Sequence, residues 1–515
     1  MQPDPNRLDL SKNGPGSELF IGLVAPVGVN LRSIQSNLFT SLERLGYTSV
    51  EVKLSKWILD NCSGVDKTND YTKLHTLMKI GSKCRSQSSR GDFFALAGIE
   101  QIKEYRLQKS GTYPDTKIAK VTPYTCYVFN QLKHPDEVKL LRWIYGNSFY
   151  LIGTFSPSSK RLTNLAERIE TTSTLGLDQC TEYARNLIDL DYSEQGSDEF
   201  GQNIQKTFPQ CDVFLNEKSS DLINQIDRFV ELIFSHPFHT PTKDEQGMCL
   251  AKNASLRSAD LARQIGAAIT TTRGEVISIG CNEAARPGGG QYWSDDSDIL
   301  DKRDFRLGVD SNDRAKAEIL TDLLEKIKDE NALVGDAAKL VADAIAGNNS
   351  LSKARLFDVI EYFRSVHAEM AALIDAARRG ISVNNATMYA TTFPCHECAK
   401  HIVAAGIPRL VYIEPYPKSK ALELFDDAIV LNESSSDLRT AFESFVGIAP
   451  RKFSELFELG SIKRKDSTGA KSSWTVSKAR LRRAELETTY FVKESYYSDL
   501  FKTACVLVLT QQEKS

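Results

Sequence analysis

The chain has 515 residues, 41% hydrophobic and 25% charged, with 64 Lys and Arg against 67 Asp and Glu and a formal charge of −3. That length holds more than one buried core, so a small disulfide scaffold is excluded, and the composition is that of a folded protein and not a disordered one. The near-neutral sum argues against a chain whose main work is to grip long nucleic acid, which takes an excess of Lys and Arg to neutralise phosphates.

No window reaches 18 consecutive apolar residues, and residues 1–16 carry Asp4, Asp9 and three prolines without an apolar core. The expectation is a loose N-terminal tail, no membrane span and no secretory signal. Ten cysteines are scattered along the chain, with one close pair at 395 and 398. They read as reduced thiols in a cytoplasmic protein, the close pair being set aside for metal or redox chemistry.

Order is expected from Glu18. The apolar run 19–24 predicts a strand, residues 25–28 a Gly/Pro turn, and the spacing of Leu31, Ile34, Leu38 and Leu42 a helix. Strands are predicted at 125–130 and 149–155 around a helix at 136–144, an alternation that implies a parallel sheet with crossover helices. Pro237 and Pro241 break the pattern, and a domain boundary is placed near 240. Beyond it come a helix over 245–266 and a strand pair within 267–279. A Gly/Asp-rich stretch (284–313) follows, and then an amphipathic helix whose stripe is Ile319, Leu320, Leu323, Leu324 and Ile327.

From Ser365, read as an N-cap, a helix runs to Arg379 and closes on Gly380. A strand (386–391), a helix (395–405) closed by Gly406, a strand (409–413), a helix (418–427) and an apolar strand (428–431) complete the alternation. Residues 432–515 mix short periodic pieces and end in a strand-like run at 504–509, with no readable role.

His367-Ala368-Glu369 opens one predicted helix and Pro394-Cys395-His396-Glu397-Cys398 opens the next. Cysteines three apart at a helix start turn both sulfurs to one side, and His367 supplies a third ligand. Three protein ligands leave one tetrahedral position for water, which separates a catalytic zinc from a closed structural one. Helix N-termini favour the thiolates. Together the halves read H-x-E with P-C-x-x-C, the zinc-deaminase signature, in which Glu369 is the proton shuttle and not a ligand. Structural zinc and a redox pair are the competing readings of the C-x-x-C half. His396 and His401 are read as helix-surface or packing residues.

Residues 367–424, and upstream 258–269 leading to Gly280-Cys281-Asn282-Glu283, resemble the deoxycytidylate deaminase family of the cytidine-deaminase-like fold. The resemblance implies zinc as cofactor and places the substrate's sugar and base at Asn282, for which a turn residue is the other reading. The departure from the family is an insertion at about 284–364, whose Pro287-Gly288-Gly289-Gly290 run reads as an amide-lined nest or a flexible loop.

The first domain, 17–240, resembles nucleotide-kinase-type P-loop domains. Residues 21–33 stand where the phosphate loop belongs, giving Gly22, Gly28 and Ser33 as candidate nucleotide-binding residues. Leu31 and Arg32 replace the Lys and Ser/Thr of a working loop, so the alternatives are nucleotide sensing and a structural role. The expected architecture is α/β: a P-loop-like parallel-sheet domain, then a cytidine-deaminase-like α/β/α domain over 241–515. That combination resembles the bacterial anti-phage dCTP deaminases. It implies a deoxycytidine nucleotide as substrate, a regulatory nucleotide or small inhibitory RNA as further partner, and a homo-oligomer. A polynucleotide cytosine or adenine deaminase, and a nucleotide-sensing switch with the deaminase as effector, are the alternatives.

Overall fold

All six residues of β1 (Leu19–Val24) are buried, as in a central parallel strand covered on both faces. The computed structural model describes residues 17–114, 118–193, 200–296, 301–330, 332–333, 335–432, 438–476, 479–482 and 487–512. The tail expected at 1–16 lies outside them. The chain divides into two compact units, one of residues 1–241 with 446–515 and the other Thr242–Phe445.

In the first unit β1 lies between β3 (Thr125–Asn130) and β4 (Phe149–Phe155), with β2 (Thr48–Lys53) beyond β3 and β5 (Val213–Asn216) beyond β4, all parallel. Helices fill the crossovers that parallel neighbours need, among them Leu31–Glu43 and Pro135–Tyr145. Leu31, Ile34, Leu38 and Leu42 point from the first helix into one core with Ile21, Leu23 and Val128.

The tail was expected to stay with the second domain, but from Val446 it groups with the first unit. Gly447–Ile448 adds an antiparallel edge strand to β5. The strand-like run 504–509 is helix, part of Glu487–Gln512. Phe501, Ala504 and Val508 are buried while Val506, Leu507 and Leu509 are exposed. A helical face with three- and four-residue spacing thus satisfies the packing, which alternation along a strand would not. The same helix places Glu494 Oε2 2.7 Å from Arg106 Nη1, in a network that includes Glu18, Tyr127, Tyr145 and Tyr490.

The second unit is a mixed sheet ordered β7-β6-β10-β11-β13-β12. Its strands in chain order are β6 (Gly266–Thr270), β7 (Val276–Cys281), the short pair β8 (Glu283–Ala284) and β9 (Ser365–Val366), then β10 (Thr387–Thr392), β11 (Arg409–Glu414), β12 (Ile429–Leu431) and β13 (Thr440–Ser444). β6 is antiparallel to β7 and β10, and β10 through β12 run parallel. The sequence reading had no counterpart to β13, which lies between β11 and β12. Gly280 of β7 is there because the helix Ala368–Arg378 starts directly on it: a Cβ would meet Ala368 O at 2.3 Å. In the insertion, Leu320 and Leu324 of the helix Ser311–Asp329 pack with Val341 and Ala344 as a small core of their own, whereas Leu323 of the predicted stripe is 49% exposed.

Candidate active site

Two helix starts converge in the second unit. His367 occupies the N-cap of the helix Ala368–Arg378 and Cys395 that of the helix His396–Ala404. Ser365, expected to be the cap, instead lies in β9, and its hydroxyl donates to Asp260 Oδ2 at 2.7 Å. The tight path from β10 through Phe393 and Pro394 carries Cys395 to within 3.3 Å of His367 Nδ1, and Cys398 Sγ lies 3.4 Å from the same nitrogen. The three ligand atoms lie within 4.8 Å of one another. Cys395 Sγ also accepts the Cys398 N–H at 3.4 Å, so the helix start helps hold that sulfur as an anion.

The electrostatics follow from burial and proximity. Hydrogen bonding from Cys398 and His367 brings the Cys395 thiol down to about 4 despite its burial. Cys398, beside that anion and buried, is pushed up. Burial would lower His367, but the Cys395 thiolate raises it to about 9. One imidazole and two sulfurs sharing a proton economy in this way is the donor chemistry zinc takes up, since bound metal replaces those protons. His367, Cys395 and Cys398 could therefore hold the ion.

Glu369, in the first turn of its helix and 4% exposed, stands beside the cluster. Burial, then the Cys395 charge, raise its carboxyl to about 7. A cavity of about 120 Å³ opens on these groups and is lined also by Asn282, Phe393 and Tyr416. Asn282 is 6% exposed; its Oδ1 accepts Ile265 N–H at 2.7 Å and its Nδ2 donates to Arg263 O at 2.6 Å. The carboxamide pins the 263–265 backbone and keeps one lone pair and one N–H for a ligand.

Sequence reasoning missed three contributors. Asp260, within the quoted 258–269 stretch, holds Ser365. Ile360 and Phe363 close the cavity from the end of the insertion, Phe363 with its ring edge-on to His367 at 6.0 Å. No motif marks them, because an insertion has no expected register with the site. The glycine run of the insertion is a tight turn: Gly288, Gly289 and Gly290 all take positive φ, and Arg286 N–H donates to Gly290 O at 2.9 Å.

The remaining candidates lie in the first unit. Gly22 sits inside β1, where a Cβ would come within 2.6 Å of Leu132 and 2.7 Å of Leu151, so its small size serves sheet packing. Gly28 has φ +90 and abuts the Arg161 carbonyl, and Ser33 is exposed on the following helix. Two of the loop's amides are already engaged by carboxylates of the chain: Val27 N–H donates to Asp191 Oδ2 at 2.7 Å and Asn30 N–H to Glu217 Oε2 at 3.1 Å. Lys133 Nζ pairs with the other oxygen of Asp191 at 2.7 Å.

Residues 241–414 match the family model of the cytidine and deoxycytidylate deaminase zinc-binding region. The second unit carries a deoxycytidylate deaminase-like domain. Its curated relatives include deoxycytidylate deaminase of Enterobacteria phage T2, 53% identical over 55 residues, which is 11% of this chain and 29% of the relative. ComE operon protein 2 of Bacillus subtilis (strain 168) is 39% identical over 71 residues, 14% of this chain and 38% of the relative. The chain thus spans less than two fifths of the length of either relative. Among solved structures, the apo dCMP deaminase of cyanophage S-TIM5 aligns with a TM-score of 0.22 and 14% identity, over 40% of this chain and 100% of that one. The deaminase-like domain is α/β, its matched region is the zinc-binding one, and no described helix is long and apolar enough to cross a membrane.

Proposed function

We propose that the deaminase-like domain hydrolyses the C4–amino bond of free deoxycytidine nucleotides, taking dCTP to dUTP and dCMP to dUMP with release of ammonia. The observation that carries this reading is the Glu369 carboxyl buried against the His367, Cys395 and Cys398 cluster at the floor of a cavity. Zinc, when bound by those three residues, supplies Lewis acidity and lowers the pKa of water. Glu369 does the proton work. Raised to about 7, its carboxyl takes a proton from water near neutral pH and passes it to ring N3; it then takes the second proton, from the hydroxyl added at C4, and passes that one to the departing amino group. Phe393, Phe363 and Tyr416 give the ring apolar walls and exclude bulk water. The cavity, about 120 Å³, is below the ~300–1,000 Å³ of pockets that enclose a drug-sized ligand, which suits one heterocycle with its sugar and phosphates directed outward.

In this reading the loop at Gly22, Gly28 and Ser33 is structural, because two of its amides, those of Val27 and Asn30, already have carboxylate partners. The wider role is depletion of dCTP as an anti-phage defence by a cytoplasmic homo-oligomer, held in check by a small RNA or a regulatory nucleotide. The pairing of the two domains in one chain supports it. The test is a product assay of purified protein with dCTP, dCMP, CTP and single-stranded oligonucleotides. Uracil is expected in the deoxymononucleotides; uracil in the oligonucleotides alone overturns the reading in favour of a polynucleotide deaminase.

A further inference from the structure

The helix Leu222–Ile233 of the first unit ends in a fold-back. Ser235 takes φ +64 and donates its N–H to Leu232 O at 3.2 Å, while His236 N–H reaches Glu231 O at 2.9 Å. This pair of bonds is the Schellman closure of a helix, and it returns His236 over the last turn, where Glu231 lies. Two further bonds fix the segment: Phe238 N–H donates to His236 Nδ1 at 3.3 Å, and Arg228 donates to Thr240 O at 2.8 Å. His239 then stands with its ring 4.2 Å from that of His236 and its Nε2 2.5 Å from Glu231 Oε2. One ligand atom from each of Glu231, His236 and His239 lies within 4.8 Å of the other two, and all three side chains are half-buried.

We propose that Glu231, His236 and His239 form a second divalent-metal site, of the zinc class, outside the deaminase-like domain. Two imidazoles and a carboxylate suit zinc and its neighbours, whereas calcium and magnesium take all-oxygen sets. A salt link explains Glu231 with His239, but it does not use the second imidazole, whose Nε2 has no hydrogen-bond partner among the described residues. Ligand bonds of about 2.0–2.2 Å put tetrahedral donors roughly 3.3 Å apart. The Glu231–His239 separation therefore opens by less than an ångström, a side-chain adjustment on a backbone already fixed. Partial exposure leaves room for water as fourth ligand, and the bound ion fastens the helix end to residues 234–240. The Lys471 ammonium, over the Phe238 ring at 4.5 Å, opposes a dication here, so this site binds more weakly than the cysteine-containing one.

The experiment is equilibrium dialysis of the untagged full chain against saturating zinc, with metal counted per chain. Two zinc ions are expected in the wild type and one in each of His236→Ala, His239→Ala and Glu231→Gln, with nucleotide turnover unchanged. Cobalt titration separates the sites, since only the one with cysteines gives intense sulfur-to-metal charge transfer; the second equivalent adds weak ligand-field bands alone. Added zinc is expected to raise the melting temperature of the wild type beyond that of Glu231→Gln, which checks that a missing ion is not a misfolded variant. A single zinc in the wild type, or a second equivalent that survives both histidine substitutions, overturns the site whatever the deaminase assay gives.

Discussion

Asp191 takes the amide hydrogen of Val27 at 2.7 Å, 164 residues away along the chain, at the place where a phosphate-binding loop would meet its anion. Its other carboxylate oxygen holds Lys133. The loop after β1 is thus neutralised from within. Asp191→Ala leaves the buried Val27 N–H without an acceptor and takes the counter-charge from Lys133, whose ammonium keeps only the Ala25 carbonyl at 3.1 Å, and is expected to cost about 3–5 kcal/mol in urea unfolding. Calorimetric titration of the wild type with ATP is expected to show no binding while Asp191 is in place.

Glu369→Gln keeps the size and burial of the side chain but cannot carry the proton. It is expected to lower kcat by about 10²–10⁴ with zinc content unchanged. Cys398→Ala is expected to lose both zinc and turnover. Measuring metal and rate on the same preparations distinguishes a proton carrier from a ligand, and a Glu369→Gln enzyme of normal rate would remove Glu369 from the mechanism.

Metal removal gives a second check on that site. Dialysis of the wild type against a strong chelator is expected to abolish turnover, and stoichiometric zinc to restore it, whereas magnesium, a hard cation poorly matched to sulfur, is expected to restore none. Rates before and after reconstitution are the readout.

Arg106, 1% exposed, lies between the carboxylates of Glu18 and Glu494, each 2.7 Å from one of its nitrogens. Arg106→Met leaves two buried carboxylates facing each other, and about 3–5 kcal/mol of stability is expected to be lost. Glu494 is the more replaceable partner, because burial already raises its carboxyl against the pull of Arg106. Glu494→Gln, which can still bond Tyr145, is expected to lose clearly less in the same unfolding assay.

Asp244 predicts a pH dependence in the deaminase-like domain. Burial alone would raise its carboxyl, but paired bonds from Arg409 at 2.8 Å and the Tyr389 hydroxyl at 2.9 Å hold it below the usual carboxylate value. A depressed folded-state pKa stabilises in full above the unfolded value of about 3.9, and that stability is lost as pH falls through the folded value. Asp244→Asn is expected to flatten the stability loss below about pH 4, read as melting temperature against pH.

Local signals carried far along the chain. The apolar run at 19–24 and the spacing of Leu31, Ile34, Leu38 and Leu42 correspond to the observed strand and helix, and Gly380 and Gly406 close their helices with positive φ. These features depend on residues a few positions apart. The run at 504–509 misled because six consecutive residues do not separate a strand from one stretch of a long helix; the partners that select helix are elsewhere in the chain.

By itself the sequence determined the α/β alternation and the donor set of His367, Cys395 and Cys398 with the Glu369 carboxyl two residues from the histidine, because periodicity and motif spacing are properties of neighbouring residues. Only the tertiary structure decided that Asp191 fills the loop after β1, that the tail belongs with the first unit through Arg106 and Glu494, and that Phe363 walls the cavity. Each of these joins residues far apart in the chain. Their pairing depends on which groups folding desolvates together, and no local pattern encodes that.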